Sequence, residues 1–165
     1  MCTFIQTNWQ MILALIVGIC ALLKYFDTRK RELAWRRTEF IFEQARLLDT
    51  DLDLSDAILI LEERHTEVKL SDLFAADKNP YNSSLHSQYY QKMDKLLNFL
   101  DRLAYATLDA RTLSLAEVVN FGWYFKKIDA HQKLKEYCMD NGFNDILILA
   151  NKIMESNTRQ NWVRK

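Results

Sequence analysis

The chain has 165 residues, 49% of them apolar and 27% charged, with 22 basic against 22 acidic side chains and only 3 Gly and 1 Pro. That apolar share excludes a disordered chain, and so few turn residues exclude a sandwich or barrel. The length allows one compact domain plus an anchor, and many Leu, Ala, Glu, Lys and Gln residues point to helices.

The neutral total hides an ordered distribution of charge. Residues 1–23 carry no charged side chain. Six cations follow (Lys24, Arg29, Lys30, Arg31, Arg36 and Arg37) against Asp27 and Glu32, a net of +4. The remainder is mildly acidic, with 16 basic and 20 acidic residues. An uncharged end, a basic collar and an acidic body are thus joined in one chain.

Met11 to Leu23 is thirteen residues without a polar interruption. The tolerant span from Ile5 to Phe26 is about as long as a bilayer core requires. Trp9 and Tyr25 stand where amphipathic rings favour the interface. The basic cluster follows this span and none precedes it, so the positive-inside rule places the N-terminus outside and the rest in the cytoplasm. A signal peptide wants a positive leading region, which the sequence lacks, and a core helix rarely lacks charge on every face. The expectation is a single-pass membrane protein with its C-terminal domain in the cytoplasm.

Within the span, Gln10, Ala14, Gly18, Ala21 and Tyr25 follow a 4-4-3-4 spacing and fall on one stripe. Small residues at that spacing let helix backbones approach closely, and a Gln beside them can bond across an interface. The stripe is therefore the expected oligomer or pore interface. The collar cations Lys24, Arg29, Lys30, Arg31, Arg36 and Arg37 are the expected headgroup contacts, worth about 1 kcal/mol each near an anionic surface.

Nothing breaks the chain from Ile5 to Leu48, so the membrane helix is expected to run on as one rod. Asp49 to Asp53 reads as a turn, with Ser55 capping a helix from Asp56 to about Glu67. Ser71 caps a short helix through Ala76, and the stretch Asp77 to Ser84 reads as a loop. A long helix is predicted from Leu85 to Ala110, its apolar side formed by Tyr89, Met93, Leu96, Leu97, Leu100, Leu103 and Ala104. Ser114-Leu115-Ala116-Glu117 is a capping box that opens a helix interrupted near Gly122 and resuming through Tyr137. Asn141-Gly142 ends that helix, and a last one runs from Asn144 to about Glu155 before a loose polar tail. The predicted organisation is all-α: an anchor at 1–26, a basic juxtamembrane helix at 27–48, a helical bundle at 49–156 and a tail at 157–165.

Few residue patterns in the chain carry chemistry. Cys2, Cys20 and Cys138 lie far apart, as do His65, His86 and His131, so no metal or cofactor is expected. Glu62 and His65 form one Glu-x-x-His pair, whereas carboxylate-bridged metal sites need two, and His65 reads as a helix-end residue favoured by the dipole. Asp49-x-Asp51-x-Asp53 resembles the start of a calcium loop but lacks the Gly and the closing Glu, leaving helix capping as its account. No Arg is followed by His four to six residues on, which disfavours a small helical RNase; an inactive relative of that bundle stays compatible with the sequence. Phe121, Trp123, Tyr124 and Phe125 beside Lys126 and Lys127 could stack bases, but such density usually marks a core, and the acidic body disfavours nucleic acid.

The block Lys95-Leu96-Leu97-Asn98-Phe99-Leu100-Asp101-Arg102-Leu103-Ala104-Tyr105-Ala106, with Leu115-Ala116-Glu117-Val118-Val119-Asn120-Phe121 some ten residues on, resembles a group of small bacterial proteins. Those proteins carry one N-terminal membrane helix and a cytoplasmic helical domain. Asn98 and Asp101 match their polar positions and are expected to be structural, Asn98 bonding within the bundle. The resemblance extends to membrane accessory proteins of RNA-guided (CRISPR) antiviral systems, and implies a non-enzymatic effector that homo-oligomerises and perturbs the membrane or forms a pore in it. The alternative expectation is a membrane-tethered module that recruits a cytoplasmic protein partner without a pore.

Overall fold

A computed structural model describes residues 2–74 and 84–163. It is helical throughout, with no strand among the described residues. Helix α1 runs from Cys2 to Thr50, 49 residues without a break. Then come α2 (Leu52–Leu61), α3 (Leu70–Leu73), α4 (Ser84–Leu108), α5 (Leu115–Val118), a 3-10 turn (Val119–Phe121), α6 (Gly122–Ala130), α7 (Gln132–Asp140) and α8 (Asn144–Val163). Two compact units divide the chain, Met1–Phe40 and Ile41–Lys165.

The first unit is the greater part of α1 alone. The second is organised on α4, which packs against α2, α3, α5 and α8, while α6 lies on α7 and α8. The predicted apolar side of α4 is the core: Met93, Leu96, Leu97, Leu100 and Ala104 are fully buried, with Leu103 and Tyr89 nearly so. Ala57 and Ile60 of α2, Phe125 and Ile128 of α6, Leu134 and Cys138 of α7, and Ile146, Leu149 and Ile153 of α8 close around it. Leu48 at the end of α1 belongs to this core, with Ile41 and Ala45 packed beside it.

Several element ends differ from expectation, each for a local reason. The turn at Asp49–Asp53 shrinks to Asp51 alone, whose carboxylate accepts the N–H groups of Asp53 and Leu54. Asp51, not Ser55, is therefore the cap, and α2 starts earlier than predicted. The same helix ends at Leu61 rather than Glu67, because Glu63 turns to φ 60 and the Leu59 carbonyl accepts both Arg64 and His65 N–H. His65 consequently leaves the helix end where the dipole would favour it, and its Nδ1 accepts N–H from Glu67 and Val68. Lys69, not Ser71, precedes α3, which spans only Leu70–Leu73. The predicted loop over Asp77–Ser84 lies, but for its last residue, outside the described residues; Ser84 opens α4.

The capping box at Ser114 forms, with the Ser114 N–H and hydroxyl both donated to Glu117. The interruption near Gly122 is the 3-10 turn, and Gly122 lies against α8, where a Cβ would sit 3.2 Å from Ile153 Cγ2. The continuous helix predicted through Tyr137 is instead two, broken at His131, whose extended backbone and Nδ1 cap α7. Gly142, at φ 84, supplies the left-handed residue that ends α7 after Asn141, and Phe143 N–H returns to the Cys138 carbonyl. The tail predicted as loose is helical to Val163, as no breaker follows Glu155.

Candidate functional site

Helix α1 continues through Met11–Leu23 because no Pro and a single Gly interrupt it, and Met, Leu and Ala stand among its Ile and Val residues. Every side chain from Met11 to Arg31 is exposed. Among them are Ile12, Leu15, Ile19, Leu22 and Leu23, each about half or more accessible. The most apolar stretch of α1 has a mean hydropathy of 1.9, and none of it is buried. This one helix is long and apolar enough to cross a membrane. Its run from Ile5 to Phe26 rises about 32 Å, against about 30 Å of hydrocarbon.

Four of the five stripe residues can be placed by their surroundings. Ala14, Gly18, Ala21 and Tyr25 are all exposed and, at 3.6 residues per turn, lie within an arc of about 60°. A Cβ built at Gly18 meets nothing within 4 Å. The side chain of Gln10 lies outside the described residues. Tyr25 makes an edge contact with Phe26, their ring centroids 5.8 Å apart.

The collar resolves into two sets. Arg29 and Arg36 both reach Glu32, at 3.1 and 2.6 Å, and Arg31 reaches Asp27 at 2.9 Å. Hydrogen bonds from Arg29 and then Arg36 hold the Glu32 carboxyl below its usual range. Lys24, Lys30 and Arg37 form no ion pair among the described residues. The i,i+3 and i,i+4 spacings of the pairs are readable in the sequence.

In the second unit, the motif block of α4 turns one edge to a cleft of about 540 Å³. Lys95, Asn98 and Arg102, at i, i+3 and i+7, line it opposite Gln44 and Leu47 of α1. Asn98 is exposed, and its bond within the bundle is to the Asp94 carbonyl one turn back in its own helix. Lys95 bridges Asp51 at 2.8 Å and Asp53 at 3.0 Å. Asp101 is partly buried, and that burial, with Asp145 nearby, pushes its carboxyl up. The sequence offered no signal for this cleft, because its walls come from segments some fifty residues apart.

The aromatic run divides: Phe121 and Phe125 are core, and Tyr124 packs partly against it. Trp123 is exposed, with Lys127 Nζ 5.7 Å from its ring centre. A base-stacking platform of four rings is therefore not present. Among the described residues no three His, Cys, Asp or Glu side chains converge as a metal site would need. The chain matches no protein-family model, no curated protein and no solved structure.

Proposed function

We propose that the protein is a membrane-anchored, non-enzymatic effector that works as a homo-oligomer. In this reading α1 crosses the bacterial inner membrane once, with the N-terminus outside and the second unit in the cytoplasm. Copies associate through Gln10, Ala14, Gly18, Ala21 and Tyr25, and the assembly perturbs or opens the bilayer. The family resemblance of the α4 block suggests antiviral defence as the setting.

The observation that carries this is the bare apolar helix. Eight large aliphatic residues between Ile12 and Leu23 are exposed in the chain itself. Leaving them in water forfeits on the order of 10 kcal/mol of burial, comparable to the whole stability of a domain. A bilayer supplies the cover for a helix whose backbone bonds are satisfied internally. Inside it, the open space at Gly18 leaves room for a neighbouring backbone.

The collar supports the orientation, and its unpaired cations Lys24, Lys30 and Arg37 are the ones with charge to spare for headgroups. The pairs at Arg29, Arg31 and Arg36 are exposed and weak, so they stiffen the helix without removing the field of the collar.

Reconstitution into dye-loaded liposomes tests the reading. Wild type is expected to release dye, and Gly18→Leu is expected to insert equally but release little. Equal leakage from both proteins removes the stripe, and no leakage from wild type removes the pore. The second reading, a tethered recruiting module, is favoured by the exposed Val119 and Trp123 on the second unit. It predicts that activity survives exchange of the span for an unrelated anchor.

A further inference from the structure

The cleft beside α4 has the chemistry of a ligand site that the membrane reading does not use. Its volume, about 540 Å³, lies within the range of small-molecule sites. Its charged groups are unequally satisfied. The Asp51 carboxylate is fully engaged by the Asp53 and Leu54 N–H groups and by Lys95. Lys95 is in turn neutralised by Asp51 and Asp53. Arg102, exposed on the same face of α4, has no ion pair or hydrogen bond among the described residues. Arg102 is therefore the one cation lining the cleft without an anionic partner among the described residues.

Around it stand two amides, Gln44 and Asn98, and an apolar wall. Asn98 spends one N–H on the Asp94 carbonyl, leaving its second N–H and its carbonyl oxygen. Leu47 is partly exposed on this wall, and Phe99 is held in place by an edge contact to Phe121, their centroids 6.1 Å apart. A planar guanidinium recognises a carboxylate or phosphate with two parallel N–H bonds, and a rigid apolar wall takes the attached body.

We infer that this cleft binds a small oxyanion carrying an apolar body, either a carboxylate or a phosphate monoester. Arg102 holds the oxyanion, Asn98 and Gln44 the polar edge, and Leu47 and Phe99 the body. The site rests on the second unit alone and stands whether or not α1 forms a pore. Occupancy would brace the last turns of α1 against α4, since Gln44 and Leu47 line one side.

Calorimetric titration of the full-length protein in mild detergent tests this with 1-naphthyl phosphate, 1-naphthoate, neutral 1-naphthalenemethanol and inorganic phosphate as probes. At least one naphthyl anion is expected to bind saturably, one per chain, with the neutral probe and inorganic phosphate far weaker. Arg102→Gln should weaken that binding about tenfold or more, and Arg102→Lys should weaken it less, keeping charge but not the fork. Lys127→Gln, on the unrelated Trp123 surface, should bind as wild type does. Which anion wins names the headgroup. No binding of either anion, equal binding of the neutral probe or of inorganic phosphate, or unchanged binding by Arg102→Gln would overturn the site. Arg102 is exposed, so both variants should keep the wild-type melting temperature and report on binding alone.

Discussion

Cys138 is fully buried in α7, and that burial, reinforced by the charges of Asp101 and Asp94, pushes its thiol up to about 12. The thiol is un-ionised at neutral pH and should resist maleimide in the native protein, reacting only when the chain is unfolded. A variant with Cys138 as its only cysteine, labelled equally fast before and after denaturation, would contradict the packing of α7. Tyr89 donates to Glu67 at 2.6 Å, and that bond is the main reason its hydroxyl is pushed up to about 12. Tyr89→Phe should cost about 1 kcal/mol in urea unfolding, with no change in helix content. The bridge of Lys95 to Asp51 gives a signed pH dependence. The Asp51 carboxyl is held below its ordinary 3.8, first by Lys95, so its stabilisation is present above that value and lost as pH falls through the lowered one. Lys95 is raised above 10.5, so its share is complete below that value and lost as pH climbs through the raised one. The stability gap between wild type and Lys95→Met should therefore be present at pH 6 and close in strong acid. A gap that persists there would remove the bridge from the account.

Among the elements, α4 was legible from periodicity alone, since seven apolar residues on one face can only be a buried stripe. Leu97→Ala should accordingly cost about 2–5 kcal/mol, because neighbouring side chains cannot close the hole fully. The glycines make a contrasting pair. At Gly122 an added methyl meets Ile153 at 3.2 Å, so the fully buried Ile153 side chain would have to shift by a few tenths of an ångström. Gly122→Ala should therefore be about 1 kcal/mol less stable despite the better helix propensity of Ala. A more stable variant would mean that α6 and α8 lie further apart. Element ends were harder to read. The end of α2 depends on a left-handed Glu63, and the break between α6 and α7 on His131, neither of which is a residue that announces a turn. Asp51 outcompeted Ser55 as the cap because it also meets Lys95, a partner 44 residues away that no local pattern reveals.

For the whole molecule, the all-helical character and the long apolar N-terminal helix were visible in the sequence, through the scarcity of Gly and Pro and the uncharged run to Leu23. The spacing of Ala14, Gly18, Ala21 and Tyr25 was visible too, and all four are exposed. What the sequence withheld was the cleft beside α4, whose walls come from segments far apart in the chain. Gly18 stands in open space within its own chain, so Gly18→Leu disturbs nothing except a neighbour. That makes the native mass of full-length protein in mild detergent the most direct measurement. The account predicts one species of roughly six or more copies, a closed ring in cyclic symmetry, that falls to smaller species in Gly18→Leu. A monomer or dimer for wild type, or the same large species for both proteins, would contradict it.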